Sequence, residues 1–82
     1  MELTIRVNLS EPVMSRQAAD ISSAMSEYGA RVLLRRHDTT VNAKSLMGIM
    51  SLGLSSGQAV TILTSGPDEA EAACRLAALL GA

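Results

Sequence analysis

Few side chains in this sequence have the chemistry of a catalyst, and those few are far apart along the chain. The single histidine, His37, stands beside Asp38, and the single cysteine, Cys74, lies among alanines and leucines. Their spacing is not that of zinc ligands, and no glycine-rich phosphate loop of the P-loop or Rossmann type is present. The carboxylates fall mostly on predicted helix surfaces or near helix starts, where solvated charges are usual. We therefore predict no enzymatic activity, no metal site and no cofactor.

One stretch, NAKSLMGIMSLG at residues 42–53, has a more informative pattern. Ser45 directly precedes a short apolar run, and serine at that place commonly caps a helix by accepting a backbone N–H. A phosphate on Ser45 would lie at the helix N-terminus, where the helix dipole and free N–H groups favour an anion. Lys44 would add a positive neighbour. The stretch therefore predicts a capped helix whose cap is also a candidate phosphorylation site.

The apolar run behind Ser45 is too short to bury itself on every side. If Leu46 and Ile49 turn inward or sideways, Met47 and Met50 must be partly exposed. Flexible, polarizable methionine side chains suit adaptable partner surfaces. We therefore predict a docking surface on this helix, with core packing and a simple cap as the alternative.

Composition places the chain among small globular domains. It has 82 residues, of which 48% are hydrophobic and 18% charged, so we predict a single domain over residues 1–82. A net charge of −1 and a single aromatic residue, Tyr28, give little support to nucleic-acid binding. There is no signal peptide and no apolar run long enough to span a membrane. We expect a cytoplasmic protein without membrane contact, with Cys74 as a buried structural thiol.

Hydrophobic periodicity predicts four strands and three helices. Apolar and polar residues alternate over 2–9, which is typical of a half-buried strand. From Ser15 the period becomes helical, with Tyr28 as the last apolar position and Gly29 as the stop. The remaining predicted elements are strands at 30–36 and 39–43, a helix at 45–52, a strand at 59–64 and a C-terminal helix.

The C-terminal helix has the clearest start signal. Ser65 or Gly66 is predicted to cap it, Pro67 suits the first helical position, and Asp68 and Glu69 suit the positive end of the dipole. The order β-α-β-β-α-β-α, with one-sided strands and helices, predicts an α+β fold in which helices cover one face of an antiparallel sheet.

The segment VNAKSLMGIMSLG closely resembles the regulatory-serine segment of HPr, the small phosphocarrier of the bacterial sugar phosphotransferase system. The resemblance extends over the whole chain, to its length, its element order and the stretch VTILTSGPDEAEA near its end. It implies an open-faced β-sandwich, with a four-stranded antiparallel sheet covered on one face by three helices. It also implies that Ser45 is the serine phosphorylated by HPr kinase, and that Leu46, Met47 and Met50 match the residues that dock enzyme I, the kinase and a transcriptional regulator.

The same resemblance points to a departure from the family. The catalytic histidine of HPr stands in a pattern G-L-H-x-R-P-A before the first helix, and this chain reads PVMSRQA there. Met14 occupies the histidine position, Arg16 matches the arginine that helps to hold the phosphoryl group, and Pro12 and Gln17 replace the glycine and the proline. A thioether has no nucleophilic nitrogen that could accept and return a phosphoryl group. The resemblance is therefore to a histidine-lacking, Crh-like member of the family.

Three functions remain open. The first is a regulatory module of carbon catabolism, in which Ser45 is a phosphorylation switch and Arg16, Lys44, Leu46, Met47 and Met50 bind a partner. Its partner would be HPr kinase/phosphorylase or a transcriptional regulator. The second is an HPr-fold interaction or structural protein in which Ser45 is only a cap. The third is a phosphocarrier that lost its histidine by mutation or design, although Pro12 and Gln17 argue against a single designed change.

Overall fold

The computed structural model describes all 82 residues and has the predicted element order. Four strands and three helices follow one another as β-α-β-β-α-β-α. Their bounds are β1 Glu2–Arg6, α1 Ser15–Met25, β2 Arg31–Arg36, β3 Thr39–Asn42, α2 Leu46–Ser51, β4 Ala59–Ser65 and α3 Glu69–Leu79.

The four strands form one antiparallel sheet in the order β1-β4-β2-β3. β4 is central: it pairs with β1 in a register that sets Ile5 opposite Val60, and with β2 in a register that sets Leu34 opposite Ile62. These apolar residues share one face because side chains alternate along a strand. Helices cover that face, so the predicted open-faced architecture is confirmed.

The core lies between the sheet and the helices and is built almost entirely from aliphatic side chains. Ala18, Ala72 and Ala73 are fully buried, and their small side chains allow the helices to approach the sheet closely. The inward side of α3 and its C-cap residue are buried: Ala73, Leu76, Ala77 and Leu80. Thr64 is the one buried polar residue, and its hydroxyl donates to the Glu69 carbonyl over 3.0 Å.

The first strand and the first helix are both shorter than the sequence predicted. After Arg6 the chain leaves the β1–β4 ladder, because the N–H groups of Val7 and Asn8 bond to the carbonyls of Gln58 and Leu80 instead. Helix α1 ends at Met25 with Ser26 as its C-cap, and not at Tyr28. Gly29 is therefore not the helix stop.

The predicted start of the last helix is wrong by two residues. Its N-cap is Asp68, so Ser65 closes β4 and Pro67 lies before the helix. Gly66 turns the chain with a φ of 140°, and a Cβ there would lie 2.7 Å from the Cα of Ala30. This close approach requires glycine and delays the helix.

Cys74 is exposed, which corrects the expectation of a buried thiol. Ala73, Leu76 and Ala77 face the core, and at 3.6 residues per turn Cys74 falls on the solvent side of α3. An alanine-rich neighbourhood in sequence therefore misled the prediction. His37 is exposed in the β2–β3 turn, as expected, with a left-handed φ of 53°.

Candidate functional site

The start of α2 has the predicted cap. Ser45 has extended backbone angles, φ −105° and ψ 119°, and its Oγ accepts the N–H of Gly48 over 3.1 Å. The turn before it is held by Asn42, whose carbonyl oxygen accepts the Ser45 N–H and whose side-chain Oδ1 accepts the Lys44 N–H. The N–H groups of Leu46 and Met47, in the first turn, have no protein acceptor.

Close packing against β3 and an arginine at the far end fix the position of α2. A Cβ on Gly48 would lie 3.2 Å from both the carbonyl oxygen of Asn42 and the Cβ of Val41, so glycine allows the helix to lie against the strand. At the C-terminal end, Arg36 Nη1 donates to the Leu52 carbonyl over 2.8 Å. A cation is favourable at that end of a helix. The sequence analysis missed this contact, because no local pattern links a strand residue to a helix ten or more residues later.

The outward side of α2 is apolar. Ile49 is fully buried, whereas Met47 is 74% exposed, Met50 40% and Leu46 38%. The exposure of the two methionines confirms the prediction, and Leu46 lies outward with them. We call these three residues the α2 patch. Met47, the most exposed member of the patch, contacts mostly solvent.

The start of α1 is built differently from that of α2. Its N-cap is Met14, with extended angles of φ −101° and ψ −174°, and no side chain accepts a hydrogen bond from the first turn. Gln17 supplies the reciprocal bond, because its Oε1 accepts the Met14 N–H over 3.3 Å. The segment before the helix is anchored by Val13, whose N–H donates to the Leu54 carbonyl. The Met14 side chain is 64% exposed.

A groove lies between the start of α1 and the C-terminal end of α2. It has a volume of about 480 Å³ and is lined by residues from both regions: Pro12, Val13, Met14, Ser15, Met50, Gly53, Leu54 and Ser55. Met14 and Met50 therefore lie on the same surface, as members of one lining. Arg16, in the first turn of α1, is exposed and makes no side-chain hydrogen bond or ion pair.

The Lys44 ammonium group is already hydrogen-bonded within the protein. Its side chain is half-buried, and its Nζ donates to the carbonyl of Tyr28 over 2.7 Å. Its charge also contributes to lowering the pKa of Asp68, although the leading cause there is the backbone N–H of Gly29. The structure thus gives Lys44 a bond to the α1–β2 connection, and its part in partner binding stays a prediction.

No group of three or more histidine, cysteine, aspartate or glutamate side chains is arranged to hold a metal ion. None of the helices has the length and apolar character needed to cross a membrane.

The family described as "PTS HPr component phosphorylation site" matches residues 1–82 of this chain. The chain belongs to the HPr family. The HPr-like protein Crh of Bacillus subtilis is 39% identical over 74 residues, which cover 90% of this chain and 87% of Crh. The phosphocarrier protein HPr of Treponema pallidum is 38% identical over 69 residues, covering 84% of this chain and 78% of that protein.

A solved HPr structure has the same fold over nearly the full length. The crystal structure of HPr from Bacillus anthracis str. Ames superimposes with a TM-score of 0.92 at 36% identity, covering 98% of this chain and 95% of that one. The predicted family and fold are therefore confirmed. The roles of Ser45, Met14, Arg16 and the α2 patch in this HPr-family protein stay predictions.

Proposed function

We propose that this HPr-family protein is a regulatory partner in the phosphotransferase and carbon catabolite system, and not a phosphocarrier or an enzyme. It acts through phosphorylation of Ser45 and through docking of a partner on the α2 patch and Arg16. The partner is HPr kinase/phosphorylase, or a transcriptional regulator that binds the phosphorylated form. Support for this role comes from the family membership and from relatives named both Crh and HPr.

The geometry at Ser45 is compatible with phosphorylation. Its Oγ accepts one hydrogen bond from Gly48 and donates none to the protein, so a kinase can remove the hydroxyl proton without breaking a contact. A phosphate there would meet the unpaired N–H groups of Leu46 and Met47. Backbone N–H groups and the dipole at a helix start stabilise an anion. The modified serine would therefore add charge with little movement of the backbone.

Met14 supports a role without phosphoryl transfer. Its exposed thioether stands before α1, where the proposed alignment sets the catalytic histidine of HPr. Sulfur in a thioether cannot act as the nitrogen nucleophile that carries phosphate between proteins. His37, the only histidine, lies in the β2–β3 turn, and we propose that it does not replace the missing group.

The observation that carries the proposal is the pairing of a capping hydroxyl with an exposed apolar surface on one six-residue helix, α2. Exposed apolar side chains beside a charge switch allow a partner to read both features at once. The hydrophobic centre supplies binding energy, and a phosphate supplies charge-assisted hydrogen bonds to basic groups of the partner. Because those charges are solvent-exposed, binding of the phosphorylated form should weaken as salt concentration rises.

The test is phosphorylation by an HPr kinase with ATP, with the modified residue located by mass spectrometry. We expect labelling at Ser45 and its loss in Ser45→Ala, and Ser51→Ala is the matched control on the same helix. An HPr that contains its own regulatory serine is included in each reaction to show that the kinase is active. If that HPr is labelled while this protein is not, the regulatory proposal fails.

A second role, as an HPr-fold interaction protein without phosphorylation, is supported by the same exposed patch. In that case Ser45→Ala would leave partner binding unchanged, whereas Met47→Glu would abolish it. Measuring both variants against one partner separates the two functions.

A further inference from the structure

The chain has five methionines, and their distribution is uneven. Met25, the last residue of α1, is fully buried, and Met1, at the N-terminus, is 50% exposed but lies away from the patch and the groove. The other three, Met14, Met47 and Met50, are all exposed, and all three belong to the α2 patch or to the groove that adjoins it. No exposed internal methionine lies anywhere else on the molecule.

We propose that these three methionines form an oxidative modification site, at which a hydroperoxide converts the docking surface from apolar to polar and so switches docking off. This inference rests on the proposed function, because it assigns a regulation to the same surface. Peroxide-class oxidants attack thioethers that solvent can reach, and the product, a sulfoxide, can be reduced enzymatically. The modification is therefore reversible.

The reaction is an oxygen-atom transfer. A sulfur lone pair attacks one oxygen of the hydroperoxide, an S–O bond forms as the O–O bond breaks, and the second oxygen leaves as water or an alcohol after proton transfer. Sulfur loses two electrons and the peroxide gains them, so no further reductant or cofactor is required. The step needs only access to sulfur.

Access differs among the methionines in a way that predicts their order of reaction. The exposed fraction falls from Met47 to Met14 to Met50, and Met25 has none. Sulfoxide formation should therefore be fastest at Met47 and slowest at Met25. Met50 should be intermediate, because the groove shields part of its side chain.

The consequence for docking follows from the polarity of the product. A sulfoxide oxygen is a strong hydrogen-bond acceptor, and burying it in an apolar interface without a donor is unfavourable. Met47 is the most exposed residue of the α2 patch and so would have the largest effect. The Ser45 cap is not altered, because oxidation changes methionine sulfur atoms and leaves the serine hydroxyl intact.

The first measurement is site-resolved. The folded protein is treated with limiting hydrogen peroxide, and sulfoxide at each methionine is followed by peptide mass spectrometry. We expect Met47 and Met14 to oxidise on the order of tenfold or more faster than Met25. Equal rates at Met47 and Met25 would overturn the inference.

The second measurement is functional. Binding to HPr kinase and phosphorylation by that kinase are compared before and after peroxide treatment, and after repair by methionine sulfoxide reductases. We expect at least about a tenfold loss of affinity that repair reverses. The comparison variant combines Met14→Leu, Met47→Leu and Met50→Leu and so has no thioether in the patch or the groove; its affinity is measured with and without peroxide, so that each protein is compared with its own untreated form. Binding by this variant should resist peroxide.

The outcomes separate the two proposals. If the untreated protein neither binds HPr kinase nor is phosphorylated by it, the proposed function fails, and the inference fails with it. If the untreated protein binds and its oxidised form binds equally well, only the inference is overturned. A loss of binding by the leucine variant under peroxide would also overturn it, because the cause would then lie outside these methionines.

Discussion

The starts of α1 and α2 have N-cap residues with similar backbone conformations but different side-chain chemistry. At α2 a serine hydroxyl accepts a first-turn N–H, and at α1 the equivalent position is a methionine with no acceptor. Both N-cap residues have extended backbone angles, so the backbone alone does not distinguish them. What differs is the atom that the side chain presents. Ser45 presents an oxygen that caps the helix and can be phosphorylated, whereas Met14 presents a thioether sulfur that does neither. The comparison shows how one helix start can remain a candidate phosphorylation switch while the other cannot accept a phosphoryl group.

The largest expected effect concerns phosphoryl transfer at α1. The protein should gain no acid-labile phosphoryl group from phosphoenolpyruvate and enzyme I, since Met14 has no nucleophilic nitrogen. Met14→His should restore transfer only poorly, at least about tenfold below a complete HPr, or about 1.4 kcal/mol in the barrier. The reason is that Pro12 and Gln17 change how the chain enters α1. Gln17 lacks the fixed φ of the proline that it replaces, and its Oε1 accepts the Met14 N–H instead.

Mass spectrometry under conditions that preserve phosphohistidine is the measurement, and the triple change Met14→His, Pro12→Gly and Gln17→Pro is the informative comparison. Full transfer by Met14→His alone would show that the neighbouring residues are unimportant. Phosphohistidine on wild-type His37 would contradict the prediction that the protein accepts no phosphoryl group.

The next largest effect separates the outward side of α2 from its inward side. Met47→Glu should cost at least about 2 kcal/mol of partner binding if Met47 is the centre of the interface. It should change the free energy of unfolding by only about 0.5 kcal/mol, because the side chain is mostly in solvent. Ile49→Ala is the matched control and should destabilise the fold by about 2–5 kcal/mol, because Ile49 is fully buried. Urea unfolding with calorimetric binding measures both; a strongly destabilised Met47→Glu would contradict the surface assignment.

A smaller effect compares the two caps directly. Ser45→Ala should lower stability by about 1 kcal/mol, because the Gly48 N–H loses its acceptor. Met14→Ser should raise stability by about 0.5–1 kcal/mol, since the extended backbone of Met14 suits a capping side chain and no acceptor is there now. Opposite shifts of the denaturant midpoint in the two variants would confirm that the helix starts differ only in their caps. No gain from Met14→Ser would mean that Gln17 and solvent already satisfy the first turn of α1.

Sequence predicted more of α2 than of α1 or α3, and the reason is physical. The cap at Ser45 acts over a few residues, so its signal is local, and its geometry was confirmed. Gly53, directly after the C-cap Leu52, has a left-handed φ of 59°. The start of α3 depends instead on Gly66 packing against Ala30, which is distant in sequence.

The candidate site, too, was predicted only where its signals are local in sequence. The exposure of Met47 and Met50 followed from the shortness of the helix, and it was confirmed. Three other features depend on tertiary contacts. They are the groove lined by Met14 and Met50, the hydrogen bond from Arg36 to the end of α2, and the hydrogen bond from Lys44 Nζ to the Tyr28 carbonyl. No sequence spacing encodes them. The family resemblance supplied the roles of these residues, which no periodicity could have indicated.

The start of α3 gives the smallest expected effect and extends the comparison to a third helix. Asp68 stands at the N-cap, yet its carboxylate accepts the N–H groups of Gly29 and Ala30, over 2.9 and 2.8 Å, instead of capping its own helix. The bond from Gly29 is the leading cause that lowers the pKa of Asp68 below its ordinary value of 3.8. A carboxyl group with a lowered pKa in the folded state stabilises the fold above its unfolded-state pKa, and this contribution is lost as the pH falls through the lowered value.

Asp68→Asn should therefore reduce the melting temperature at neutral pH, and its difference from wild type should shrink as the pH falls from about 4 towards and below the lowered pKa. Asp20→Asn is the matched control, because Asp20 is exposed on α1 and its side chain makes no hydrogen bond or ion pair in the structure. Thermal melts across this pH range give the measurement. A difference that stays constant with pH would show that the tie between α3 and the α1–β2 connection depends on the shape of the side chain and not on its charge.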